Sequence, residues 1–144
     1  MKKLIIILLF FFICFGISIP ISANGSTIKT EVCKEECGKY NTLPLTQDNV
    51  TFVIKAEGLH HADVVIKQAI LETGHFKSKL AKQGNLFGLK GKKGYYRYRH
   101  WSKSIIAYKE KIQSRYKQGE DYYSFLKRIK YCESSDYIQK LKHI

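Results

Sequence analysis

Apolar residues recur at intervals of three and four through residues 44–144, which is the spacing of one face of an α-helix. Thr46 stands where an N-cap residue is expected before the first such segment. A second helix is predicted over residues 61–73, and Gly74 is suited to end it. Only residues 89–101 alternate between aromatic and basic side chains, which indicates a hairpin. The pattern therefore predicts a mainly helical domain with one small β-hairpin.

Three further helices are predicted toward the C-terminus. They cover residues 102–117, residues 121–130 and a last segment that Ser134 or Ser135 would cap. No alternation of strands and helices is present, and a chain of 144 residues has room for one domain. Large α/β barrels and multidomain enzymes are thereby excluded.

The N-terminus has the three regions of a secretory signal peptide. Two lysines are followed by residues 4–19, which carry no charge, and Ala23 is the small residue that precedes a polar stretch. We expect cleavage after Ala23, so that residues 1–23 are a signal peptide, residues 24–43 a linker or arm, and residues 44–144 the catalytic domain. An uncleaved anchor and a lipidated Cys14 are the alternatives. The apolar run is shorter than the ~20 residues of a spanning helix.

The charge of the chain favours an anionic partner. Lys and Arg number 25 against 12 Asp and Glu, which gives a net charge of +13. For an exported protein, we expect the partner to be an anionic cell-wall surface and not nucleic acid, and we expect a monomer in the periplasm or outside the cell. Export permits a disulfide among Cys33, Cys37 and Cys132, but their odd number leaves one thiol over. Ligands for a metal are lacking nearby, and no cofactor is implied.

Glu72 is the carboxylate that the sequence marks as unusual. With about 100° of rotation per residue, Glu72 shares the apolar face of its predicted helix with Val65 and Ala69. It also lies at the helix C-terminus, where the helix dipole disfavours a negative charge. Burial and dipole both raise a carboxyl pKa, as a general acid requires. A buried Glu paired with a Lys or Arg is the alternative interpretation.

Residues 68–90 read QAILETGHFKSKLAKQGNLFGLK. This segment resembles the bacterial endo-β-N-acetylglucosaminidase domain family of autolysins and flagellar peptidoglycan hydrolases. The resemblance lies in Ala-x-x-Glu-Thr-Gly, which ends at Gly74, and in Asn-Leu-Phe-Gly-Leu-Lys, which begins at Asn85. Tyr131, followed by Asp136 and Tyr137, is similar to the terminal signature of that family, although the proline of that signature is missing.

The resemblance implies a lysozyme-like helical fold and cleavage of the β-1,4-linked glycan strand of peptidoglycan. Glu72 matches the acid of the family, and Tyr131 matches its active-site tyrosine, with core packing as the alternative. Asn85 and Phe87 match a loop beneath the cleft, where Asn85 either caps the loop or contacts substrate. The remaining candidates for substrate contact are aromatic, with about half of the hairpin rings expected in the core: Tyr95, Tyr96, Tyr98, Trp101 and Tyr137.

The second carboxylate of a glycosidase has no obvious counterpart. Residues 89–101 contain no Asp or Glu, although longer members of the family have one in the hairpin. Glu57, Glu110, Asp121 and Asp136 are the distant candidates, and assistance by the 2-acetamido group of the substrate would need none of them. A lytic transglycosylase, which works with one Glu on a similar fold, and an inactive wall-binding module are the alternative functions.

Overall fold

The computed structural model describes residues 38–144. The predicted signal peptide and cleavage site, Cys14, and the cysteines Cys33 and Cys37 lie outside the described residues. Among the residues described, no helix has both the length and the apolar character of a membrane span. The prediction of a mainly helical domain with a small hairpin is confirmed: six helices and one two-stranded antiparallel sheet form the described domain.

Helices α1 and α2 form the base of the core. Helix α1 spans Gln47–Ala56, and the Thr46 hydroxyl accepts a hydrogen bond from the amide of Asn49, as an N-cap residue does. Helix α2 spans Ala62–Thr73 and ends at Gly74, which has a left-handed conformation. Helix α2 packs against α1 and against the last helix of the chain. This central position buries most of its circumference.

The hairpin is shorter than predicted. After α3 (Lys79–Lys82), β1 (Lys90–Gly91) pairs with β2 (Gly94–Tyr95), and the ladder ends there. The Asn85 side chain accepts from the Leu89 amide at 3.0 Å and donates to the Leu89 carbonyl at 2.8 Å. The Tyr98 amide bonds to Gln83 instead of to a strand. Side-chain and loop hydrogen bonds thus replace the rungs that a longer hairpin would need.

Two of the predicted C-terminal helices differ in detail from the structure. The predicted helix over residues 102–117 is α4 (Ser102–Lys111) followed by a 3₁₀ turn at Gln113–Arg115. Helix α5 spans Tyr122–Arg128, with Asp121 as its N-cap. Helix α6 spans Tyr137–Lys142, and Asp136, not a serine, occupies its N-cap position. The Ser134 hydroxyl instead donates a hydrogen bond to the Asp136 carboxylate, so neither predicted serine caps this helix.

The end of the predicted arm is attached to the helical domain. The Tyr40 ring is buried in the core, and its hydroxyl donates to Glu57 at 2.7 Å. The Leu43 carbonyl accepts a hydrogen bond from the Trp101 indole at 3.1 Å. These contacts join the segment before α1 to the C-terminal end of α1 and to the N-terminal end of α4.

Candidate functional site

A groove with a volume of about 560 Å³ opens beside the C-terminal end of α2. Besides Glu72, its lining comes from the loop that leads into the hairpin, from the hairpin itself, from the 3₁₀ turn and from the segment that follows α5. The groove is lined by Glu72, Phe87, Gly88, Leu89, Lys90, Tyr95, Ile112, Arg115, Ile129, Lys130, Tyr131, Cys132, Glu133 and Ser134.

The Glu72 carboxyl is half-buried at the floor of this groove. Burial raises its pKa above the ordinary value of a glutamate, and a hydrogen bond from the Tyr137 hydroxyl partly opposes that shift. The sequence prediction of a raised pKa is therefore confirmed in direction, with desolvation as its main cause. The pairing of Glu72 with a Lys or Arg is not found among the ion pairs of residues 38–144.

Gly88 allows the loop to approach the carboxyl closely. A Cβ atom at this position would lie 3.0 Å from Oε2 of Glu72, and the backbone has a φ of +61°. Only glycine adopts this conformation without strain while leaving space for the carboxyl. Gly88 belongs to the motif that begins at Asn85, and its contact with Glu72 is a physical reason for a glycine at this place in the motif.

Tyr131 lines the groove and also packs on the core. Its hydroxyl donates to the Phe87 carbonyl at 2.8 Å, and its ring meets those of Tyr108 and Tyr137. Burial raises the pKa of Tyr131 well above the ordinary value, and the neighbouring Tyr137 and Glu72 raise it further. The phenol therefore stays neutral at physiological pH and ties the segment after α5 to the loop before the hairpin.

Asn85 and Phe87 form the support beneath the groove. Asn85 is fully buried, and its amide donates to the Leu89 and Tyr96 carbonyls at 2.8 and 3.0 Å. These bonds make Asn85 a loop-capping residue, which was one of its two interpretations. The Phe87 ring packs against Tyr108 with centroids 4.2 Å apart, and Phe87 is buried, so it contributes little surface to the groove.

The predicted aromatic wall is reduced to Tyr95. Tyr95 lines the groove and is 57% exposed, whereas Tyr96, Tyr98 and Trp101 do not line it. Trp101 is only 5% exposed, and its indole nitrogen is bonded to the Leu43 carbonyl. Burial of Trp101 therefore contradicts its assignment as a substrate contact. Tyr137 is also buried and reaches the site through Glu72, not through the groove surface.

Four charged residues of the groove were missed by sequence reasoning. They are Lys90, Arg115, Lys130 and Glu133. The four ion pairs within residues 38–144 include none of them, so no ion pair in this part of the chain neutralises their charges. For Glu133, the only signal in the sequence was its place between Tyr131 and Asp136.

The distant carboxylates named from the sequence lie elsewhere. Glu57 bonds to Tyr40 and pairs with Lys39 and Lys109. Asp121 accepts from the Ser124 amide at the start of α5, and Asp136 pairs with Lys140. Neither these nor Glu110 line the groove. Over residues 38–144, no group of three His, Cys, Asp or Glu side chains could hold a metal ion.

A family model matches most of the described domain. The glucosaminidase model, described as mannosyl-glycoprotein endo-beta-N-acetylglucosaminidase, matches residues 50–144. No curated protein and no solved structure matches the chain. The matched range includes Glu72, the Asn85 loop and Tyr131, as the resemblance in the sequence predicts.

Gly88→Ala is expected to disturb the Glu72 carboxyl directly. The left-handed backbone should cost about 1–2 kcal/mol of stability. The new methyl would also displace the carboxyl, and a displacement of about 1 Å should lower any glycoside hydrolase activity that depends on Glu72 roughly 10²-fold. Gly58→Ala is the matched control, because Gly58 has a φ of +65° and no atom within 4 Å of its Cβ position. Equal losses of activity in both variants would show that the contact between position 88 and the Glu72 carboxyl has no special importance.

Glu72→Gln is expected to stabilise the protein more at high pH than at low pH. The folded pKa of Glu72 is raised, so its favourable binding of a proton is fully present below the unfolded pKa and is lost as pH rises through the folded pKa. Glutamine does not titrate, so the gain in unfolding free energy should grow from pH 4 to pH 8. Urea denaturation at both pH values measures it.

Glu110→Gln controls for the loss of one negative charge, since Glu110 is exposed. If the gain in unfolding free energy of Glu72→Gln is the same at both pH values, or larger at pH 4, ionisation of Glu72 does not destabilise the folded protein.

Proposed function

Because the chain belongs to the glucosaminidase family, we propose that it hydrolyses β-1,4 glycosidic bonds in the glycan strand of peptidoglycan, with Glu72 as the general acid. The observation that carries this proposal is a half-buried carboxyl with a raised pKa that opens into a groove. A carboxyl at its reference pKa of ~4.3 is almost fully ionised at neutral pH and rarely donates a proton. Desolvation of Glu72 raises its pKa and so increases the fraction of the carboxyl that is protonated and able to donate.

The chemistry follows from the position of Glu72. The protonated carboxyl donates to the glycosidic oxygen while the bond from that oxygen to C1 breaks. Water then adds its hydroxyl to C1, and its remaining proton returns to the Glu72 carboxylate. Tyr137 stabilises the carboxylate between these steps, because its hydroxyl favours the ionised form of Glu72. The cycle leaves Glu72 as it began, so no cofactor is consumed.

Glu133 is the best candidate for a second carboxylate. It is exposed and lines the same groove as Glu72, whereas the four carboxylates considered from the sequence do not. In a retaining mechanism the second carboxylate attacks or stabilises C1, while the first residue acts as acid and then as base. Assistance by the 2-acetamido group of the substrate is the alternative, and it would leave Glu133 dispensable.

The charges of the groove support an acidic glycan as the substrate. Lys90, Arg115 and Lys130 enter no ion pair within residues 38–144 and outnumber the two glutamates of the groove. Peptidoglycan carries carboxylates on its stem peptides and on muramoyl groups that lack a peptide, and such cations attract them. A neutral glycan offers no such charges. We propose that the enzyme cuts the bond that joins N-acetylglucosamine to N-acetylmuramic acid.

We also propose that the chain acts outside the cytoplasm after removal of residues 1–23. The basis is the charged start, the uncharged run of residues 4–19 and the small residue Ala23. The exported protein should begin at or near Asn24, and N-terminal sequencing of the secreted chain measures this. An exported chain that still begins at Met1, or one with lipid on Cys14, would contradict the proposal.

Glu72→Gln is expected to reduce turnover of peptidoglycan by at least ~10²-fold, because glutamine keeps the shape of the side chain but cannot donate a carboxylic proton. The variant should remain folded and still bind the wall. Glu110→Gln, which lies away from the groove, is the matched control and should retain activity. Near-normal activity of Glu72→Gln would show that another residue is the acid.

Mass spectrometry of the digestion products distinguishes the competing functions. A reducing N-acetylglucosamine end supports the glucosaminidase, and an anhydromuramoyl end supports a lytic transglycosylase on a similar fold. Binding without any cleavage by the unmodified protein would favour a wall-binding module. In that case the raised pKa of Glu72 would have a structural origin only.

A further inference from the structure

A chain of hydrogen bonds runs through the core to Tyr137, whose hydroxyl acts electrostatically on the Glu72 carboxyl. It starts at the backbone of His60, between α1 and α2, and crosses α4, α5 and α6. Its side chains are contributed in order by Gln113, Tyr122, Tyr108, Gln68 and Tyr137. None of these residues is adjacent to the next in sequence, so only the folded domain assembles them.

The backbone of His60 fixes the direction of the chain at its far end. The His60 amide donates to Oε1 of Gln113 at 2.8 Å, and Nε2 of Gln113 donates to the His60 carbonyl at 2.8 Å. A backbone amide can only donate and a carbonyl can only accept, so the Gln113 carboxamide has one orientation. Its nitrogen also donates to the Tyr122 hydroxyl at 2.8 Å.

The direction is then passed from one hydroxyl to the next. The Tyr122 oxygen accepts a hydrogen bond from Gln113. The hydroxyl hydrogen of Tyr122 therefore points to the Tyr108 oxygen, which lies 3.0 Å away. The Tyr108 hydroxyl donates to Oε1 of Gln68 at 2.7 Å. Nε2 of Gln68 therefore faces the Tyr137 oxygen at 3.4 Å. Because the Tyr137 oxygen accepts a hydrogen bond from Gln68, its own hydroxyl hydrogen is left to point toward Glu72.

The reversed orientation of Gln68 is disfavoured by burial. If its nitrogen faced Tyr108, the Tyr108 proton would turn to Tyr122, and the Tyr122 proton would have no acceptor in the chain. Gln68 and Tyr108 are 0% exposed and Tyr122 is 1% exposed, so water cannot replace a missing partner. A buried polar group without a partner costs about 1–3 kcal/mol. Over the described residues, no buried side-chain nitrogen or oxygen lacks a partner.

We propose that Gln113, Tyr122, Tyr108 and Gln68 are positioning residues that hold the Tyr137 hydroxyl as a donor to Glu72. The inference goes beyond the proposed function, and it rests on that function only where it concerns catalysis. The chain sets how strongly Glu72 retains its proton: burial favours the protonated form, and the oriented hydroxyl favours the carboxylate. An acid that must donate and then recover a proton in each turnover benefits from this balance.

Other titratable groups also face Glu72. From the segment after α5 come Tyr131, Lys130, Cys132 and Glu133, from the hairpin Lys90 and Tyr95, and from the 3₁₀ turn Arg115. None of them belongs to the hydrogen-bond chain. A variant inside the chain therefore changes the titration of Glu72 without altering the charges that line the groove.

Tyr108→Phe tests the proposal, because it removes one oxygen atom two links away from Glu72. The readout is the pKa of the Glu72 carboxyl carbon, followed by NMR in the labelled full-length mature protein and assigned with Glu72→Gln. Tyr137→Phe defines the maximum effect, a rise of about one pH unit or more for loss of a hydrogen bond to a charged group. Tyr108→Phe should raise the pKa by about 10–30% of that amount.

Tyr116→Phe is the matched control. Tyr116 packs against Tyr122, but its hydroxyl donates to the Glu120 carbonyl at 2.7 Å and lies outside the chain. This variant should leave the Glu72 pKa unchanged, whatever it does to the melting temperature. An unchanged Glu72 pKa in Tyr108→Phe, or an equal rise in both variants, overturns the proposal.

Two further measurements keep the test decisive. Should Tyr108→Phe not fold, Tyr122→Phe breaks the previous link and carries the same expectation of an upward shift, with no shift overturning the proposal. The NMR titration needs no substrate, so an inactive protein would refute the proposed function without affecting this test. In an active protein, the basic limb of the pH–rate profile should shift upward in Tyr108→Phe and not in Tyr116→Phe.

Discussion

The site depends on the burial of helix α2, because that helix carries Glu72 into a place that water only partly reaches. Helix α2 packs against α1, α3 and α6, so residues around most of its circumference face the core. The last turn then has to hold a carboxyl within a desolvated surface, which raises the pKa of that group. The burial of α2 therefore has two consequences: it stabilises the fold, and it raises the proton affinity of the Glu72 carboxyl.

The loop before the hairpin completes this arrangement from the other side. Asn85 binds the backbone on both sides of Leu89, which holds the turn at Gly88 against the Glu72 carboxyl. Tyr131 joins the segment after α5 to this loop by donating a hydrogen bond to the Phe87 carbonyl. Three elements from distant parts of the sequence are thus held around one carboxyl by side chain to backbone hydrogen bonds, which are directional and fix the shape of the groove.

Sequence reasoning succeeded where the signal was local and failed where a distant contact intervened. The cap at Thr46 and the stop at Gly74 were found because cap residues act within one turn. The helix predicted over residues 102–117 breaks after Lys111, in the region where the Gln113 side chain bonds to the backbone of His60. The predicted serine cap of α6 was wrong because the Ser134 hydroxyl bonds to the Asp136 carboxylate instead.

The sequence by itself determined the helical class, the family and the position of Glu72 on the apolar face of a helix, because a helical period and short motifs are properties of neighbouring residues. The tertiary structure alone decided that Tyr95 and not Trp101 faces the groove, and that Glu133 shares it with Glu72. It also assembled the hydrogen bonds that lead to Tyr137. Such contacts join residues far apart in sequence, and their partners are selected by the packing of the whole core, which no local pattern encodes.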